Sequence, residues 1–206
     1  MNLAIPVIGI LRGVDPVFFK DVMKTSFDAG LQAMEITMNT DDALNIVASN
    51  IPNVPPGKLL GMGTIRNLEE AKMAVQAGAM FMVTPNIDTK VIDHAKDNNI
   101  PIIAGALTPT EVYNAWSAGA DMVKVFPCSS FGPDYIKELR GPFENIPLVA
   151  VGGVNLDNIT DYFAAGARAV GASTSLFGRE ALKDRALDEI EKNVRSFISL
   201  CPDYKK

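Results

Sequence analysis

Ala118-Gly-Ala-Asp-Met-Val-Lys-Val-Phe-Pro127 decides how the rest of this chain is read. Ala118-Gly119 closes a helical segment, because a glycine just past a helix end supplies the left-handed cap. The apolar run that follows, residues 122–126, reads as a buried strand. Lys124 interrupts that run. A lysine in such a place must be desolvated, paired or used. Burial disfavours the ammonium form and lowers its pKa toward a neutral, nucleophilic amine.

The same unit recurs along the chain. Ala29-Gly30, Ala77-Gly78 and Ala165-Gly166 close helical segments, and apolar runs follow at 33–38, 80–83 and 169–172. Four more runs lie between them, at 5–11, 59–62, 102–104 and 148–151. Pro6, Gly57, Pro101 and Pro147 stand at or near their starts. Eight short strands thus alternate with helical segments. The strands are almost continuously apolar, as in a parallel sheet covered by helices. The helices are amphipathic: residues 15–29 put Val17, Phe18, Val22 and Phe27 on one face, and residues 67–77 do the same with Leu68, Ala71 and Val75. Eight units in 206 residues, with no inserted domain, favour an α/β chain folded as a single (β/α)8 TIM barrel over a doubly wound open sheet. Residues 1–206 are expected to form one domain, with a long covering helix at 179–200 and a loose tail at 200–206.

Composition narrows the function classes. The net charge of −5 gives no overall basic character for nucleic acid or an anionic membrane. No apolar run is long enough to cross a bilayer. Cys128 and Cys201 have no metal-ligand spacing. The one histidine, His94, reads as a surface position on a polar helix. That excludes a multi-histidine metal site and argues against a histidine triad. With no basic leader ahead of the first strand, a cytoplasmic location is expected, with no metal.

In such a barrel, functional groups gather at the C-terminal ends of the strands. The candidates fall there in order: Arg12-Gly13, Glu35 and Asn39, Gly61-Met-Gly-Thr64, Thr84-Pro85-Asn86, Gly105, Lys124 with Phe126-Pro127, Gly152-Gly153, and Gly171-Ala-Ser-Thr174. Lys124 and Glu35 both project into an interior usually filled by branched apolar residues. They are either a structural ion pair or a catalytic pair. Gly152-Gly153 and the loop with Ala172 and Ser173 offer free backbone N–H groups suited to a phosphate; read blandly, they are two tight turns. Arg12 has the planar fork for a carboxylate or phosphate. Thr64 and Thr84 are candidate contacts to substrate hydroxyls. Phe126 and Pro85 are core residues or packing partners of a planar imine. Cys128 has no histidine partner in view, which argues against a reactive thiolate.

At these residues the chain resembles the 2-keto-3-deoxy-6-phosphogluconate (KDPG) aldolase family, which includes the 6-phosphogalactonate aldolases. The motifs that carry the resemblance are Ile8-Gly-Ile-Leu-Arg-Gly13, Met34-Glu-Ile-Thr-Met-Asn-Thr40, Gly61-Met-Gly-Thr64, Val83-Thr-Pro-Asn86, Lys124-Val-Phe-Pro127 and Val151-Gly-Gly-Val154. The resemblance implies a metal-free and cofactor-free class I aldolase acting on a phosphorylated sugar acid, typically as a homotrimer. It implies Lys124 as the Schiff-base residue and Glu35 as the proton shuttle. Arg12 and Thr64 would hold the substrate carboxylate, with Gly152, Gly153 and Ser173 at the phosphate. Asn39 stands where many KDPG aldolases carry arginine. Asn39, Phe131-Gly-Pro133 and Val151 are similar to the galactonate type. A phosphosugar isomerase or epimerase on the same barrel, and a non-catalytic phosphometabolite-binding protein, are the alternative readings.

Overall fold

The computed structural model describes residue 1 and residues 3–202; residues 203–206 of the expected tail lie outside the described residues. Among these, eight parallel strands close a barrel in chain order. They are β1 (Val7–Leu11), β2 (Ala33–Thr37), β3 (Leu59–Gly63), β4 (Met82–Val83), β5 (Ile102–Ala106), β6 (Met122–Val125), β7 (Leu148–Val151) and β8 (Ala169–Ala172). Pairing of β1 with β8, Gly9 opposite Ala172, shuts the cylinder. The covering helices are α1 (Pro16–Asp28), α2 (Ala43–Asn50), α3 (Leu68–Gln76), α4 (Thr89–Asp97), α5 (Pro109–Ser117), α6 (Gly132–Arg140) and α7 (Ile159–Ala164). After β8 come α8 (Thr174–Phe177), α9 (Arg179–Lys183) and α10 (Leu187–Ser199).

Local chemistry explains the alternation. Gly30, Gly78, Gly119 and Gly166 all have left-handed φ between 84° and 111°, so each Ala-Gly pair ends its helix and releases the next strand. The starts of α1, α3 and α5 carry side-chain caps. Asp15 Oδ1 accepts from Phe18 N at 2.9 Å, and Asn67 Oδ1 accepts from Glu70 N at 3.0 Å. Thr108 and Glu111 form a reciprocal capping box at α5.

Two apolar layers hold the barrel. One lies between sheet and helices. The other fills the lower interior with Ile8, Ala33, Phe81, Val83, Ile103, Met122, Val149 and Ala169, joined by Leu3. Phe81 is fully buried there, worth about 2–3 kcal/mol for its side chain. Gly61 makes room for it: a Cβ on Gly61 would meet the Phe81 ring at 2.6 Å. Side chains alternate along each strand. The residues two positions beyond this plug, including Ile10, Glu35, Pro85, Lys124 and Val151, therefore form the next interior layer toward the open rim.

Three expectations need correction. Val17 is 78% exposed, and Phe19 joins Phe18, Val22 and Phe27 in the buried stripe of α1. Position 17 falls on the same side as the exposed Asp21 and Lys24, one and two helical turns on. The single covering helix at 179–200 is broken at residues 184–186, where Arg185 has φ 55°. The Arg185 guanidinium turns back to Asp15 at 3.3 Å and lies 5.3 Å from the Phe18 ring. His94 is on α4 as expected, but it is half-buried, and its Nε2 is buried with no hydrogen-bond partner among the described residues. Cys201, in the expected tail, is half-buried against the core.

Candidate active site

The C-terminal ends of the strands surround a cleft of about 610 Å³. Ten of the residues singled out from the sequence line it: Arg12, Glu35, Thr64, Pro85, Lys124, Phe126, Gly152, Gly153, Ala172 and Ser173. They come from seven strands and reach one place because the barrel brings every strand end to a common rim.

Lys124 is 7% exposed on β6 and Glu35 is 1% exposed on β2. Desolvation lowers the Lys124 pKa; the Glu35 charge opposes that shift, and the Arg12 charge adds to it. Desolvation also raises Glu35 to about 7, against the pull of Lys124 and Arg12. The two groups are thereby moved toward each other and toward neutral pH. Among the described residues, neither is locked in a contact ion pair or satisfied by one. Glu35 Oε2 is buried without a hydrogen-bond partner, and Lys124 Nζ lies 5.0 Å from the Phe126 ring centroid. A buried pair kept only for stability would satisfy its polar atoms. This one leaves Glu35 Oε2 unpartnered among the described residues, in a side chain that lines the cleft.

The glycine turns face the same space. Gly152 and Gly153 have φ of 98° and 77°, and neither amide donates to a backbone carbonyl among the described residues. A Cβ on Gly153 would also meet the Ser129 Cβ at 2.8 Å. Ser175 Oγ donates to Val154 O at 2.6 Å, which clasps the β8 loop to the β7 loop. Asn158 closes the β7 loop from beneath: its Nδ2 donates to Gly153 O at 3.0 Å, and its Oδ1 accepts from Asn155 N at 2.9 Å.

Thr64 follows β3 with φ 59°, an uncommon conformation for a β-branched residue. The loop after it is held by Glu70, which accepts from Arg66 N at 2.6 Å and pairs with the Arg66 guanidinium. Other rim residues have different roles. Thr84 is buried, outside the cleft lining; its hydroxyl donates to Asn86 O at 2.6 Å and accepts from Gly105 N at 2.9 Å. It is a structural bracket, and the expected contact to a substrate hydroxyl falls away. Asn39 is exposed and outside the lining. Cys128 is buried, donates to Val125 O at 3.2 Å, and is pushed up to about 11 by burial, which leaves an inert thiol. Ile10 and Thr37 line the cleft without having been singled out from the sequence. Each stands two residues from a chosen position, so strand alternation was the available signal.

A (β/α)8 barrel with an amine and a carboxyl buried at its C-terminal rim defines an enzyme site suited to carbonyl chemistry. Residues 3–193 match the KDPG and KHG aldolase family. A 2-dehydro-3-deoxy-6-phosphogalactonate aldolase of Escherichia coli is 31% identical over 98% of this chain and 96% of its own. A 2-dehydro-3-deoxy-phosphogluconate aldolase of Haemophilus influenzae is 30% identical over 95% and 91%. A solved native KDPGal structure superposes with a TM-score of 0.90 at 29% identity, covering 97% of this chain and 96% of that one. The chain belongs to the KDPG and KHG aldolase family and is a carbon–carbon lyase.

Proposed function

We infer that the protein cleaves a 2-keto-3-deoxy-6-phospho sugar acid to pyruvate and D-glyceraldehyde 3-phosphate through a Schiff base on Lys124. The observation that carries this reading is the buried lysine with lowered pKa beside a buried carboxyl with an unpartnered oxygen, in one cleft with the Gly152-Gly153 turn.

The chemistry balances on these groups. The neutral Lys124 amine adds to the C2 ketone, and loss of water leaves a protonated imine. The C3–C4 bond breaks, and its electron pair moves into the imine to give an enamine. Glu35, directly or through water, takes the C4 hydroxyl proton as the aldehyde leaves, and later returns a proton to C3. Hydrolysis then frees pyruvate and restores the amine. Glu35 near neutrality suits a group that both takes and gives a proton. Arg12 and Thr64 hold the carboxylate end, and Pro85 and Phe126 pack the planar imine. Gly152, Gly153, Ala172 and Ser173 hold the phosphate, so remote binding positions C4 over the imine.

The galactonate epimer is the favoured substrate in this reading. Asn39, Phe131-Gly-Pro133 and Val151 support it through their similarity to the galactonate type. 2-Keto-4-hydroxyglutarate is a further substrate by the same chemistry. The protein works as a cytoplasmic homotrimer. The exposed aromatics Tyr113 and Trp116 on α5, with Phe131 before α6, support an apolar contact between copies. A light-scattering mass three times the 22.1 kDa chain is expected.

Incubation with pyruvate and borohydride, followed by peptide mass analysis, tests the mechanism: a reduced adduct on Lys124 is expected. Intact protein without one rules the mechanism out. Cleavage rates for the two C4 epimers test the substrate, and a tenfold preference for the gluconate would reverse the assignment.

A further inference from the structure

Two buried hydroxyls lie under the turn that carries Arg12. Thr40 Oγ1 accepts a hydrogen bond from Gly13 N–H at 3.0 Å. Thr37 Oγ1 and Thr40 Oγ1 share another at 3.0 Å, and Thr40 N donates to Thr37 O at 2.9 Å. Thr37 and Thr40 are 1% and 5% exposed, whereas Arg12 and Gly13 are exposed. Thr37 also faces the cleft.

The turn itself has little else to hold it. Gly13 has φ 64° and open space around the position of a Cβ, so conformation rather than crowding selects glycine there. The Arg12 guanidinium makes no hydrogen bond or ion pair among the described residues, although its charge bears on both Lys124 and Glu35. Thr40 is the one described side chain that hydrogen-bonds to this turn. The direction of a long exposed side chain follows the backbone beneath it, and here that backbone is pinned at a single hydroxyl.

We propose that Thr40, seated by Thr37, is a positioning residue that aims the Arg12 guanidinium over the Lys124–Glu35 pair and so sets affinity for the carboxylate end of the substrate. The proposal rests on Arg12 as the carboxylate holder in the aldolase reading. Removing the Thr40 hydroxyl leaves the exposed Gly13 amide to water but also strips the buried Thr37 hydroxyl of its partner, so the fold is weakened but holds. What is lost is the aim of Arg12.

Thr40→Val keeps the shape and removes the hydroxyl; Thr40→Ser keeps the hydroxyl. Steady-state cleavage of the phosphorylated keto acid should show KM raised about tenfold in the valine variant, with kcat within about threefold of wild type. The serine variant should return KM to within about threefold. In an Arg12→Ala background, Thr40→Val should add no further rise. Arg12, Glu35 and Lys124 are the titratable groups lining the cleft, and loosening Arg12 should move both limbs of the kcat/KM pH profile upward. An equal KM rise with and without Arg12, or equal KM values for the valine and serine variants, overturns the proposal. Borohydride trapping of pyruvate separates the two levels. No adduct in the wild type overturns the Schiff-base reading and this proposal with it. An adduct in every variant, together with either KM result above, overturns the proposal alone.

Discussion

The Glu35 carboxylate occupies the space that a side chain on Gly63 would need. A Cβ built on Gly63 falls on Glu35 Oε1 and on its carboxyl carbon. The β2–β3 register places Glu35 opposite Gly61 and Thr37 opposite Gly63, so the carboxyl leans across the neighbouring strand toward the rim. Gly63→Ala should therefore push the carboxyl out of place. The expected cost is about 1–3 kcal/mol of stability, by overpacking a filled interior. A fall in kcat of about 100-fold or more is expected as the proton shuttle is displaced. Urea unfolding and steady-state kinetics measure both, and a variant with wild-type kcat would break the link between Gly63 and Glu35.

Glu35 also sets a pH dependence of stability. Its folded pKa of about 7 lies above the ordinary 4.5, so the native state binds the proton more tightly than the unfolded chain does. That contribution is fully present below pH 4.5 and is lost as pH rises through about 7. The shift corresponds to about 3 kcal/mol. Glu35→Gln should flatten the decline across this window, as read from urea midpoints at a series of pH values. An unchanged slope would place the titration elsewhere.

Lys124→Met should abolish the borohydride adduct with pyruvate and reduce cleavage to background. Removing this cation also removes the stronger of the two charge effects that hold Glu35 down. Glu35 should then titrate above about 7, visible as a shift in the pH dependence of the urea midpoint. An adduct that persists would identify a different amine as the nucleophile.

Gly153→Ala should separate phosphate binding from imine chemistry. The position needs a left-handed backbone, and a Cβ there meets Ser129. The expected result is KM for the phosphorylated substrate raised tenfold or more, with trapping of pyruvate on Lys124 still efficient. Loss of both together would mean that the turn supports the whole cleft.

Much of the fold could be read from Ala-Gly pairs because a left-handed cap is a local requirement. It depends on the residues at the helix end and on little else. Strand existence was equally local, but strand ends were not. The run at 80–83 yields only a two-residue strand at Met82–Val83, since pairing depends on what the neighbours offer. Val17 was misplaced because an apolar residue at a helix start fits either face of the pattern until the sheet selects one. At the break, residues 184–186, Arg185 reaches Asp15 and Phe18, more than 160 residues away in the chain, a contact no local pattern announces.

Lys124 and Glu35 stood out in the sequence because a charge inside an apolar run is anomalous whatever its partner. Thr37 did not, since a threonine in a strand is ordinary and only the closed barrel turns it into the cleft. Thr84 looked like a rim ligand until packing committed its hydroxyl to Asn86 and Gly105. The sequence by itself determined the order of units and the residue types available at each strand end, because caps, propensities and alternation act within a few residues. Only the tertiary structure decided which of those groups share one cleft, which are spent on backbone bonds, and where Gly63 leaves room for Glu35. Those outcomes depend on distances between strands that no local pattern encodes.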